Sequence, residues 1–167
     1  SRPGVPTDVD ASPALVDLTG NGLPEILVGS DNGFFYCFKY DGSLLWRREI
    51  GGELFSSPIV ADIDEDGLFE VVFGSATGYL HTLNTEDGSD AFESGATWIG
   101  GGILSTPTWA DVDGDGLGEI VIGCFVESTS GAVHGEVSVW KTDAPFLPEN
   151  NPWPTFRQNN YRTGCVR

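Results

Sequence analysis

Two short stretches place acidic side chains at alternate positions and close on a glutamate: Asp62, Asp64, Asp66 with Gly67 and Glu70, and Asp111, Asp113, Asp115 with Gly116 and Glu119. In a tight loop, alternate residues turn three carboxylates inward and the glycine permits the bend. The backbone carbonyl of Leu68 or Leu117 adds an oxygen, and the final glutamate closes the shell. Such an all-oxygen set matches calcium, which takes about six to eight oxygen ligands. A third stretch, Asp17, Thr19, Asn21, Gly22, Leu23 and Glu25, keeps an oxygen at every ligand position but has fewer carboxylates, so it is expected to bind more weakly. The expected load is two or three Ca²⁺ ions. An EF-hand closes at position twelve between helices; these loops close at the ninth position, between strand-like runs. Asp/Gly turns also occur as plain solvated turns, but recurrence at matched positions favours ligation.

The loops belong to a repeat. Ser12-Pro13 leads into Asp17 and on to Glu25-Ile26-Leu27-Val28-Gly29; Ser57-Pro58 into Asp62 and Glu70-Val71-Val72-Phe73-Gly74; Thr106-Pro107 into Asp111 and Glu119-Ile120-Val121-Ile122-Gly123. Asp17 to Asp62 is 45 residues and Asp62 to Asp111 is 49, within the range of four-stranded propeller blades. Short β-branched and aromatic runs alternate with Gly, Asp, Asn and Pro, and no amphipathic helical stretch interrupts them. In the second repeat the strands are expected at 58–63, 70–75 and 79–84, with a looser one within 91–100. Asp31-Asn32-Gly33, Asp41-Gly42 and Asp87-Gly88 supply hairpin turns that tolerate positive φ.

A four-stranded sheet of this kind buries neither face alone, so the units must stack. The expected architecture is all-β: a partial β-propeller of four-stranded antiparallel blades, about three in this chain. It forms a single unit over 1–167, with repeats at about 12–56, 57–105 and 106–142 and a closing tail at 143–167. Propellers close with about four to eight blades, so the remaining blades would belong to a longer precursor, another polypeptide or a second copy of the same chain.

With 25 acidic against 8 basic residues the chain carries a formal charge of −17. That charge repels phosphate backbones, so nucleic acid is not an expected partner. The longest apolar run, Ile120 to Val126, falls far short of a membrane helix, so no membrane span is expected. Ser1 opens without a basic, apolar leader, which leaves the compartment to be argued from the loops. Calcium at about millimolar levels outside the cell fills modest-affinity sites, which favours an extracellular, cell-surface or periplasmic location. Cys37, Cys124 and Cys165 form no disulfide scaffold; either Cys124 bridges Cys165 or all three are thiols.

The Ser/Thr-Pro lead-in, the acidic loop and the Glu-Val-Val-Phe-Gly strand at 70–74 resemble the FG-GAP or VCBS repeats of integrin-α-like propellers, over residues 12 to about 142. The resemblance implies a mainly structural calcium ion at each loop, pinning the hairpin between the first two strands of a blade. Trp153-Pro154-Thr155-Phe156-Arg157, continuing to Thr163-Gly164, is similar to the WPxFRxxxxxTG segment at the ends of such propellers and is expected to pack as an outer strand of the last blade or as its closure.

Catalytic patterns are missing: there is no GxSxG, HExxH or phosphate-binding GxxxxGK, and only His81 and His134 could serve as imidazole bases. The expected function is a non-catalytic calcium-binding, secreted module for cell adhesion, assembly or protein–protein interaction, with a protein or glycan ligand on a propeller face. The alternative is a carbohydrate-active module, lectin-like or a polysaccharide lyase fragment. Trp46, Trp98, Trp109 and Trp140 are expected in the core between blades rather than as sugar platforms. The Gly-rich stretch 95–102 is a possible contact loop.

Overall fold

The computed structural model describes residues 8–128, 130–147 and 152–155. Eleven strands and no helix form among them. The first sheet is β1 (Ala14–Val16), β2 (Glu25–Gly29), β3 (Phe34–Phe38) and β4 (Leu44–Glu49). The second is β5 (Ile59–Ala61), β6 (Glu70–Gly74), β7 (Tyr79–Asn84) and β8 (Thr97–Trp98). The third holds three strands, β9 (Thr108–Ala110), β10 (Leu117–Glu127) and β11 (Val133–Pro145). Each sheet is antiparallel and ordered as the chain runs.

Local chemistry explains the meander. At the hairpin between β2 and β3, Asn32 Oδ1 accepts from the Phe34 amide at 3.0 Å while Gly33 takes φ 83°. Asp41 and Asp87 repeat the device, each accepting from the amide two residues on.

Stacking sets the burial. Ala14, Val16, Leu27, Phe35 and Cys37 of the first sheet pack with Val60, Val71, Phe73 and Leu83 of the second in one core. Ile59, Ala61, Val72 and Leu80 of the second pack with Trp109, Ile120, Ile122 and Cys124 of the third in another. The second sheet therefore has apolar neighbours on both faces, and β6 is buried at every position instead of alternating. In β11 the outer residues have no such cover: Val133, Val137 and Val139 are exposed.

Two of the four tryptophans expected inside are not core residues. Trp46 and Trp109 are buried, but Trp98 is 60% exposed and Trp140 39%. Both of the latter stand on the outermost strands of their sheets, β8 and β11. The stretch 95–102 is less free than its glycines suggest: it contains β8, and the backbone of Phe125 lies so close to Gly101 that a side chain there has no room. Within the tail, Trp153 pairs with Val60 of β5, and the Pro154 carbonyl accepts from the Trp109 amide of β9 at 2.9 Å. These residues thus run along the first strands of the second and third sheets rather than along the outer edge of the third. The rest of the motif, Phe156 to Gly164, lies outside the described residues, as does Cys165. Cys37 and Cys124 are buried free thiols, and burial pushes the Cys37 thiol up to about 12.

Candidate metal centre

Each acidic loop joins the first strand of a sheet to the second. Asp17, Asp62 and Asp111 directly follow β1, β5 and β9, while Glu25 and Glu70 open β2 and β6 and Glu119 stands near the start of β10. The hairpin register thus brings the two ends of each loop together: Val16 pairs Glu25, Ala61 pairs Glu70, and Ala110 pairs Glu119.

One contact is common to all three. The closing glutamate accepts a backbone amide through Oε2, from Leu18 to Glu25, from Ile63 to Glu70 and from Val112 to Glu119, each at 2.9 Å. This bond fixes the carboxylate and leaves its other oxygen over. Glu70 and Glu119 are 0% and 2% exposed, and Oε1 of each is buried with no hydrogen-bond partner. A buried carboxylate oxygen left in this state costs free energy. Glu70 is pushed up to about 8, first by burial and further by the nearby charges of Asp64, Asp66 and Asp62, against the lowering effect of the Ile63 amide. A divalent cation held by the clustered aspartates of such a loop would offset this repulsion.

The expected ligand sets are only partly brought together. The carboxylate oxygens of Asp62, Asp64 and Asp66 lie within 4.8 Å of one another, and so do those of Asp111, Asp113 and Asp115. Backbone amides shape both loops: Leu68 donates to Asp66 at 2.8 Å and Leu117 to Asp115 at 2.9 Å, so the residues expected to offer their carbonyls are held by the preceding aspartates. Leu23 does the same with Asn21 at 2.8 Å. Thr19, with Asp17, Asn21, Leu23 and Glu25, stands in a loop of the same course that contains no comparable acidic cluster.

The opening aspartates differ. Asp17 accepts from the Asn21 and Gly22 amides at 3.1 and 2.7 Å, and these bonds, Gly22 foremost, hold it below the usual carboxylate range. Asp111 accepts from Gly114 and Gly116 at 2.7 and 3.0 Å. Asp62 accepts no loop amide among the described residues, and its Oδ1 is buried and unpartnered. The fourth position also differs: Gly20 and Gly114 take φ 70° and 80°, but the second loop puts Glu65 there at φ 62°, among the described residues the one non-glycine with positive φ.

Lys141 is a loop contact that sequence reasoning did not anticipate. It stands on β11 opposite Glu119, and its ammonium bonds Asp113 Oδ2 at 3.0 Å and Asp115 Oδ2, with Glu119 Oε1 4.0 Å away. Asp113 and Asp115 precede it by 28 and 26 residues, so no local spacing signals the contact.

A cleft of about 440 Å³ opens beside the second loop, between the second and third sheets. Ile63, Leu80 and Ile120 line it together with Thr82, Phe92 and Trp140. The histidines do not join either site. His81 is buried, with Nε2 3.2 Å from Ser75 Oγ, and its ring is stacked on Phe73; burial lowers it to about 4. His134 lies exposed on β11, 2.9 Å from Glu136 Oε1.

No family model matches the chain. No curated protein matches it either. Among solved structures it is similar to a europium-containing methanol dehydrogenase, at 17% identity over 56% of this chain and 15% of that one, with a TM-score of 0.45. It is also similar to BBS1N, solved in complex with ARL6DN, at 14% identity over 84% and 46%, TM-score 0.42. The V. cholerae biofilm matrix protein Bap1 is similar at 20% identity over 88% and 37%, TM-score 0.42. The chain thus spans less than half the length of each of these structures.

Proposed function

We propose that this chain is a calcium-binding part of a β-propeller of the FG-GAP or VCBS type, a non-catalytic module that presents a binding surface for another protein outside the cell or in the periplasm. The observation that carries the reading is the closing glutamate: Oε2 tied to a loop amide, Oε1 buried without a partner, beside three clustered aspartates. That arrangement recurs in two loops, each joining the first two strands of a sheet. Asp62, Asp64, Asp66 and Glu70 would hold one ion, and Asp111, Asp113, Asp115 and Glu119 another. The ion would supply the positive charge that locks each hairpin, leaving the loop-bearing rim rigid enough to offer a preorganised surface.

The three stacked sheets are the blades in this reading. The apolar positions exposed on the third, among them Val137 and Val139, would face a further blade, from the rest of a longer protein, a second copy or another chain. Outside the cell, calcium at about millimolar concentration keeps modest-affinity loops filled.

A second reading, a glycan ligand, is favoured by the cleft beside the second loop. Trp140 and Phe92, both 39% exposed, border it with the hydroxyl-bearing Thr82, Thr97 and Thr142. Aromatic faces next to hydrogen-bonding groups suit a sugar ring.

Native mass spectrometry in a calcium-containing volatile buffer tests the principal reading. Two or three ions per chain are expected, and a dimer carrying four to six would identify a second copy as the source of missing blades. A chain that takes up no calcium, and whose melting temperature calcium does not raise, sinks the metal reading, because a ligand of the folded state must stabilise it. A calcium-dependent signal on a glycan array that is lost in Trp140→Ala would favour the second reading over the first.

A further inference from the structure

We propose that Lys141 is a built-in competitor for the third loop, so that the two full acidic loops fill with calcium in sequence, the second loop first and the third only on displacing the lysine ammonium. The inference rests on the calcium reading above and adds an order that the ligand spacing does not contain, since the two loops share their Asp, Asp, Asp, Glu positions and differ in acid count only by Glu65.

Three features distinguish the loops. In the third, the ammonium of Lys141 bonds two of the three clustered aspartates, Asp113 at 3.0 Å and Asp115, and stands 4.0 Å from the orphaned oxygen of Glu119. In the second, Asp62, Asp64 and Asp66 form no ion pair among the described residues, and the strand partner of Glu70 is Asn84, whose amide is turned to Ser89 Oγ at 2.9 Å. The opening aspartates differ in the same sense. Asp111 is already engaged by two loop amides, whereas Asp62 keeps a buried oxygen without a partner. The carboxylates of the second loop therefore meet loop amides but, among the described residues, no cationic side chain, and the third loop is partly neutralised from within.

Lys141 is well placed to compete. The β10–β11 register sets it directly opposite Glu119, so the ammonium is held at the loop by a paired strand rather than arriving from solution. A tethered cation acts at high effective concentration. To bind all three aspartates, a divalent ion must break both lysine contacts and then tolerate a positive charge a few ångströms away. These penalties are absent at the second loop.

The test is a calcium titration of the whole chain by isothermal calorimetry, with ion counts from native mass spectrometry. Wild type is expected to show separate tight and weak steps; Asp64→Asn should remove the tight step and Asp113→Asn the weak one. Lys141→Met keeps the aliphatic stem and should strengthen the weak step about tenfold, the scale of a few exposed charge contacts, while leaving the tight step in place. Lys141→Arg, which retains the charge, should leave the weak step weak and guards against a variant that fails to fold. If Lys141→Met leaves both affinities unchanged, or Asp113→Asn removes the tight step, the order is wrong even though calcium binds. If wild type takes up no calcium at all, the calcium reading itself fails and this inference with it.

Discussion

The indole Nε1–H of Trp46 donates to the carbonyl of Thr85 at 2.8 Å, from β4 of the first sheet to the turn after β7 of the second. The ring also lies against Gly88, where an added Cβ would clash with it, and is stacked near Phe35. One side chain therefore joins a polar and an apolar contact across the boundary between two sheets. Trp46→Ala should lower unfolding free energy by about 3–5 kcal/mol, read by urea denaturation. Trp46→Phe, which keeps most of the ring but leaves the Thr85 carbonyl without this donor, should cost less. Equal costs for the two variants would show that the hydrogen bond matters more than the packing.

Trp153 is 3% exposed in the core shared by the first two sheets, and its backbone exchanges hydrogen bonds with Val60 at 2.8 and 3.1 Å. Trp153→Ala is expected to destabilise by about 3–5 kcal/mol, whereas Trp98→Ala, at an exposed ring, should stay within about 0.5 kcal/mol of wild type. Thermal melts of the two variants under one buffer check the contrast.

Glu65 takes the left-handed backbone conformation that its counterparts Gly20 and Gly114 adopt without a Cβ penalty. Glu65→Gly should raise stability by roughly 0.5–1 kcal/mol, the relieved strain being partly offset by the greater entropy of an unfolded glycine. A lower melting temperature for this variant in calcium-free buffer would contradict the strain.

His81 is lowered to about 4 from an ordinary value of 6.5, chiefly by burial, with Arg48 also lowering it and Asp90 opposing. The unfolded chain thus binds a proton that the folded chain resists. The neutral ring's contribution is fully present above pH 6.5 and is lost as the pH falls toward 4, by up to about 3 kcal/mol. His81→Phe should flatten the stability profile in that window, as measured by urea denaturation at pH 7 and pH 4.5. A slope identical to wild type would place the acid sensitivity elsewhere.

Glu70→Gln should keep an acceptor for the Ile63 amide while removing a charge from the second loop. One calcium ion fewer per chain is expected by native mass spectrometry, with a smaller calcium-induced rise in melting temperature. An unchanged ion count would remove Glu70 from the ligand set.

Much of this arrangement is legible in the residues. The expected strands 70–75 and 79–84 contain β6 and β7 almost without remainder, and 58–63 contains the three-residue β5, because Gly, Asp and Asn mark the turns by local chemistry that tertiary packing need not alter. The fourth strand, expected within 91–100, narrows to Thr97–Trp98, where edge position rather than pattern sets its length. The acidic clusters at 62–66 and 111–115 are visible in their spacing. What the sequence conceals is long-range. Whether a tryptophan is core or surface depends on which sheet faces it, so Trp109 and Trp140 look alike in isolation yet differ in burial. Lys141 meets the third loop only through the register of β10 and β11, and a shift of a single residue would turn it to the opposite face. The tail's route past Val60 and Trp109 likewise depends on two sheets already being stacked.

That route gives the order of synthesis a physical meaning. Each sheet pairs strands that are consecutive in the chain, so it can form soon after its last strand leaves the ribosome. The backbone groups of Val60 and Trp109 that bond Trp153 and Pro154 are different: they must wait for residues made long after their own. During that interval two strand edges stand without these partners, open to pairing with a neighbouring nascent chain. Residues 153 and 154 therefore cover the edges that the first strands of the second and third sheets leave exposed when those sheets form.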